Sequence, residues 1–240
     1  MFKYFHWYGF LIGVAILSAL QVSIVYAKRV GIKKELIEKA FWWVLVGGII
    51  GARVYHVVHL WSEVYSLDPV SVLYIWNGGL GIWGAILGGL TGFLVMNSKV
   101  PNLLGLMDVV VIGVPLGQAI GRLGNWVNGE LYGKNGEPLF AFEAGLNLLL
   151  FIFLWKIVAT PGVRRGRNTT PGETLAPGKI AGSYLIGYGL IRILLENLRP
   201  EEIIWKWQGV PVAIIMGFVS LFVGAILLSR FTNLVTRSRR

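Results

Sequence analysis

Residues 105–133 read GLMDVVVIGVPLGQAIGRLGNWVNGELYG. The run 105–123 is apolar but for Asp108, Gln118 and Arg122, and it is close to the ~20 residues that cross a hydrocarbon core. Its far end changes character: Arg122, Asn125, Asn128 and Glu130 follow among glycines. Arg122, Asn125 and Asn128 recur every three residues, so a helical continuation brings them toward one face. Polar groups at the end of a membrane span are expensive and usually have a task. This set suits an anionic ligand. Arginine forks onto phosphate, asparagine amides donate further hydrogen bonds, and glycines let the backbone come close.

The rest of the chain repeats the first half of that pattern. The composition is 55% hydrophobic and 14% charged, against about 25% charged in soluble proteins. The fold expected is an all-α integral membrane protein: a seven-helix bundle forming a single polytopic domain over 1–240. The spans are read at 5–26, 40–60, 78–97, 105–123, 140–158, 180–198 and 210–229. The first apolar run is read as a retained span and not as a cleaved signal peptide. An outer loop follows the fourth span, over 124–140.

The net charge of +10 does not point to nucleic acid, because the basic residues lie in short segments between apolar runs. Fifteen fall on one side, in the segments after spans one, three, five and seven, and four on the other: Lys3, Lys134, Arg199 and Lys206. The positive-inside rule then puts the N-terminus outside and the C-terminus in the cytoplasm. The stretch 160–179, rich in Pro, Gly, Arg and Thr, reads as a flexible cytoplasmic linker. Trp42, Trp43, Trp61, Trp76, Trp205 and Trp207 stand near span ends, where interfacial tryptophans gather. Two glycine series, Gly84, Gly88, Gly92 and Gly113, Gly117, Gly121, with Gly47 and Gly51, are spaced for close helix packing.

Further polar residues sit inside the apolar runs. Tyr188, Arg192 and Glu196 lie along one face of the sixth span. Two readings of Arg192 stand side by side: a pair satisfied by Glu196, or an anion clamp that Glu196 orients. Asp108 is read as a hydrogen-bonded structural acid or a partner for Arg53, and Glu143 is similarly ambiguous. Gly78 and Gly79, in WNGGLGIWG (76–84), belong to a loop whose amides can face a ligand at a helix start. His56 and His59 read as interfacial histidines, not a metal site, and Tyr8 in HWYG can turn its hydroxyl into the bundle. The chain has no cysteine, hence no thiolate metal site and no cysteine nucleophile of its own. It carries no P-loop, dinucleotide fingerprint or Ser-His-Asp set, and no cofactor is expected. A cationic, amide-rich site in a membrane suits a phospholipid headgroup.

With these residues assembled, the chain resembles the bacterial prolipoprotein diacylglyceryl transferases. GRLGNWVNGELYG is close to that family's signature. HWYG, GARVYHV, WNGGLGIWG, the acid of LMDVV and LIGYGLIRILLE follow in the family's order. The resemblance covers nearly the whole chain. It implies seven spans in the plasma membrane and transfer of diacylglyceryl from phosphatidylglycerol to the lipobox cysteine thiol of a preprolipoprotein, with glycerol-1-phosphate leaving. It also implies that Arg122 and Arg192 hold the phosphate and stabilise the leaving group, and that Asn125, Asn128 and Glu130 shape the headgroup site. Gly133 permits the turn behind it, Tyr8 and Tyr188 position substrate, and Glu196 supports Arg192. Arg53, Gly78, Gly79, Trp83 and Glu143 are counted with the substrate-binding set. Trp83 stands where many members carry histidine, so Glu130, His6 or Tyr188 would serve as base, or the thiolate forms without one. The outer segment Lys134 to Ala144 is shorter than is usual. The alternative is a non-catalytic protein of this fold that binds or transports anionic phospholipid.

Overall fold

Helix α1 spans Trp7–Val30, α2 Lys34–His59, α3 Ile82–Asn97, α4 Leu103–Val111, α5 Val114–Val127, α6 Leu139–Ala159, α7 Lys179–Glu196 and α8 Val212–Ser238. The computed structural model describes residues 7–159 and 177–238, with side chains as far as Ser229. His6 and most of the 160–179 linker lie outside the described residues. The expected fourth span is two helices in tandem. Pro115 lies in the first turn of α5; it has no N–H to offer the Val111 carbonyl, and its ring crowds that turn, so the helix is interrupted at residues 112–113.

Among the described residues, five segments are long and apolar enough to cross a membrane: Trp7–Val30, Lys34–His59, Leu103–Val127, Leu139–Ala159 and Val212–Ser229. The other two expected spans are also helical. The run 78–97 forms helix only from Ile82, because Gly78 and Gly79 take φ of +85° and +73°, outside the helical region. At 16 residues, α3 is about 24 Å long. The run 180–198 becomes α7, which carries Lys179, Arg192 and Glu196, more charge than lipid-facing helices hold.

Two compact units divide the chain: residues 33–103, and residues 1–32 with 104–240. In the first, α2 and α3 pack antiparallel on glycine. A Cβ on Gly88 would meet the Gly47 carbonyl oxygen, one on Gly84 the Gly51 carbonyl oxygen, and one on Gly92 the Trp43 carbonyl oxygen. That is backbone-to-backbone contact, which any side chain would prevent.

Between α2 and α3 runs an irregular segment, with a π-turn at Trp61–Tyr65 and 3-10 turns at Pro69–Leu73 and Ile75–Asn77. Arg53 gathers it. Its Nε donates to the Val72 carbonyl at 2.9 Å, Nη1 to those of Gly78 and Gly79 at 2.8 and 3.1 Å, and Nη2 to those of Ser71 and Tyr74 at 2.6 and 3.4 Å. A guanidinium carries five N–H donors, and this one is engaged with five carbonyls.

In the second unit, α1 packs on α5, α5 on α6, α6 on α7 and α7 on α8. Gly113 meets the Ala19 carbonyl of α1, and Gly182 and Gly189 meet α8 through the carbonyls of Gly224 and Gly217. Asp108 settles between its two sequence readings. It is fully buried, and its carboxylate accepts from the backbone N–H of Gly178 at 2.9 Å and of Ala181 at 2.8 Å. It therefore caps the N-terminus of α7, where N–H groups lack helical partners and negative charge is favoured. A two-stranded hairpin, β1 Lys206–Trp207 with β2 Val210–Pro211, leads into α8.

Candidate active site

The polar groups of the second unit converge on Glu143. This acid, from the second turn of α6, is 2% exposed. Its Oε2 lies 2.6 Å from Arg122 Nε. Its Oε1 accepts from Arg199 Nη2 at 2.8 Å and from Arg192 Nη1 at 3.4 Å. Glu196 closes the set, accepting from Arg192 Nη2 at 3.1 Å and standing 3.4 Å from Arg199 Nε. Three guanidinium groups thus face two buried carboxylates, and one positive charge is in excess. A buried carboxylate persists only when paired and hydrogen-bonded; here each acid is met by at least two arginines.

The polar chain continues outward from Arg122. Its Nη1 donates to Asn125 Oδ1 at 3.2 Å, Asn125 Nδ2 donates to Glu130 Oε2 at 3.2 Å, and Asn128 Nδ2 donates to Glu130 Oε1 at 3.2 Å. Side-chain exposure rises along it, from 2% at Glu143 to 16% at Arg192 and Arg199 and 29% at Arg122, and Glu130 is exposed. The buried acids hold the arginines from behind, and the amide groups stand at the open side.

Local folding explains the placement. Helix α5 runs on through Asn125, keeping it one turn from Arg122, and Asn128 is its C-cap. The chain then reverses through left-handed Gly129 and Leu131, with φ of +69° and +63°. Such a φ is uncommon for a residue with a Cβ; here the Leu131 carbonyl is tied to the Phe140 N–H at 3.1 Å. Gly133 lies at the turn that follows α5. Its φ is not left-handed; it is required for close approach. A Cβ there would meet the Glu137 carboxylate and stand 2.9 Å from the Leu198 carbonyl. That carbonyl accepts from the Lys134 N–H at 2.9 Å, so the turn after α5 is fastened to the segment carrying Arg199.

The remaining expected residues fall in two groups. Tyr188 stacks on Tyr184 with centroids 5.8 Å apart, one turn before Arg192. Tyr8 is 40% exposed, and its ring packs over Gly124, beside Asn125. Arg53, Gly78, Gly79 and Trp83 belong to the first unit, where Gly78 and Gly79 hand their carbonyls to Arg53 and Trp83 lies in the first turn of α3. The two histidines also have separate partners. His56 Nδ1 is 2.9 Å from the Tyr65 hydroxyl, and His59 stacks on Tyr55.

Arg199 is the residue that sequence reasoning left out, as an outer-loop charge. Its spacing held a signal: Arg192, Glu196 and Arg199 stand at i, i+4 and i+7, the periodicity of one helical stripe. Outside the cluster, two exposed acids titrate below the usual carboxylate range. Glu137 is held down by the Asn135 side chain, and Glu201 by its bond to Lys206.

The family description "prolipoprotein diacylglyceryl transferase" matches residues 2–230 of this chain. Similar curated proteins bear the name phosphatidylglycerol–prolipoprotein diacylglyceryl transferase. That of Synechococcus elongatus is 35% identical over 82% of this chain and 74% of its own length. That of Halalkalibacterium halodurans is 32% identical over 93% and 81%, and that of Parasynechococcus marenigrum 35% identical over 82% and 77%. With a match that runs almost from end to end, the chain belongs to the prolipoprotein diacylglyceryl transferase family.

Proposed function

We propose that this chain transfers the diacylglyceryl group of phosphatidylglycerol to the lipobox cysteine thiol of a preprolipoprotein. The observation that carries the reading is the site of Arg122, Arg192 and Arg199 around Glu143 and Glu196, in a chain of this family. The thiol sulfur attacks the glyceryl carbon that bears the phosphate ester. The C–S bond forms as the C–O bond breaks, and glycerol-1-phosphate leaves with the electron pair.

Arg122 and Arg192 bind the phosphate and stabilise the charge that grows on it as it leaves, a preorganised electrostatic contribution. Glu196 and Glu143 hold both guanidinium groups in place before substrate arrives. Asn125 and Asn128 bind the headgroup from the open side. Glu130, at the end of that amide chain, takes the thiol proton. A thiol of pKa ~8.5 is already a few per cent ionised near neutral pH, and adjacent arginines raise that fraction. Tyr8 and Tyr188 position substrate.

The chain crosses the bacterial plasma membrane seven times, by α1, α2, α3, α4 with α5, α6, α7 and α8, with its N-terminus outside and C-terminus in the cytoplasm. The asymmetry of fifteen basic residues against four supports this orientation. The test is purified protein in phosphatidylglycerol vesicles with a lipobox peptide, read by mass spectrometry. The expected product is heavier by one diacylglyceryl group and absent when the peptide cysteine is serine. Folded protein that binds the lipid yet leaves the peptide mass unchanged overturns the proposal.

A further inference from the structure

The unit of residues 33–103 contains a groove that the transfer reaction does not use. It has a cavity volume of about 700 Å³, and its walls are α2 and α3 alone. The glycines explain why it exists. Because Gly47, Gly51, Gly84, Gly88 and Gly92 bring the two backbones into contact, their side of the pair is left as a valley with no side chain of α2 or α3 across its floor. The rims are apolar, with Val46, Ile50, Val54 and Val58 on one side and Leu87 and Val95 on the other. From Trp43 to Val58 it runs about 22 Å at the rise of an α-helix.

Both rims end in the same kind of charge. Stepping back one turn from Trp43 along α2 gives Lys39, and stepping one turn past Val95 gives Lys99; both are exposed. The helices are antiparallel, so these two lysines stand at the same end of the groove.

We propose that the groove binds an anionic glycerophospholipid, with acyl chains along the glycine valley and the headgroup phosphate between Lys39 and Lys99. Charge selects this occupant. A signal sequence would present its basic leading segment to two lysines. A phosphate gains from the same pair, and lysine stems lie along apolar surface while their ammonium groups reach the headgroup region.

The test uses the full chain in nanodiscs with phosphatidylglycerol carrying a photoactivatable acyl chain, and the labelled peptides are mapped by mass spectrometry. Label is expected on α2 and α3 between residues 43 and 96, displaced by unlabelled phosphatidylglycerol but not by phosphatidylcholine of the same chains. Lys39→Gln and Lys99→Gln should each reduce it roughly fivefold, the worth of about one lysine near an anionic lipid. Val54→Trp, at an exposed rim position, should abolish it by filling the valley, while label at the arginine site persists. Equal displacement by phosphatidylcholine, or labelling unchanged in both lysine variants, would reduce the groove to ordinary bilayer contact and overturn the proposal. Cross-linking of these peptides to a second protein chain would overturn it as well.

Discussion

Glu143 holds more of the site together than either arginine singled out by its position in a span. It is buried and meets Arg122, Arg192 and Arg199 from three separate segments. Replacing it by alanine strands those cations, and breaking a buried pair typically costs about 3–5 kcal/mol. Glu143→Ala should therefore lower the midpoint of thermal unfolding in detergent and the yield of folded protein. Arg122→Ala and Arg192→Ala are different, since each leaves Glu143 with two arginines. They should fold and accumulate normally while transfer falls at least about 100-fold, as when a preorganised donor to a developing anion is lost. Arg192→Lys should not restore it, because a point charge cannot fork between Glu143 and Glu196. Near wild-type turnover in any of these three would remove the residue from the role assigned to it. Sequence spacing was enough to bring Arg122, Asn125 and Asn128 together and to pair Arg192 with Glu196, because those contacts are local. The hub was not legible, since Glu143 meets its partners across helices and no periodicity relates them.

Among the helices and turns, the glycine faces were legible and the helix limits were not. Spacing of four marks small residues on one helical face, so the glycine faces of α2 and α3 could be read, but not that they meet each other. Gly88→Leu should force those backbones apart and cost about 1–3 kcal/mol or more, seen as a lower unfolding midpoint. The start of α3 was read four residues early because hydropathy does not register the left-handed φ of Gly78 and Gly79. The break at Pro115 was missed for a related reason, as the apolar run continues through it. Gly133→Ala should push the outer turn off the Leu198 carbonyl and shift Arg199 with it. Misplacement of about 1 Å can cost on the order of 100-fold, so a fall in kcat at normal abundance is the expected reading. The same turn carries a pH dependence. Glu137 has its carboxyl depressed by Asn135, so its contribution is present above the ordinary carboxylate value and is lost as pH falls through the lower folded value. The protection of the Asn135 amide against exchange, taken relative to the intrinsic rate at each pH, should be lost below pH ~4 and kept at neutral pH, because its N–H donates to Glu137 at 3.0 Å. Protection unchanged in acid would sever that link.

For the protein in its bilayer, charge placement and apolar runs were enough to anticipate an all-helical membrane chain, because both are set by the solvent and not by packing. What they could not give is the division into residues 33–103 and the remainder, which depends on which helices share glycine contacts. The absence of native cysteine makes the orientation directly measurable. Single cysteines placed at Lys134 and at Lys99 should react with an impermeant maleimide from outside and only after permeabilisation, respectively. The reverse pattern would invert the topology.

Asp108 binds the first amides of α7 from α4, so the position of α7 is specified by a through-space attachment as well as by the covalent chain leading to it. A polypeptide with such an attachment tolerates being made in two pieces. Co-expressed fragments 1–168 and 169–240 should find each other in the bilayer and copurify. Asp108→Ala, which removes the acceptor but leaves the Glu143 pairs to Arg192 and Arg199, should lower the copurified yield.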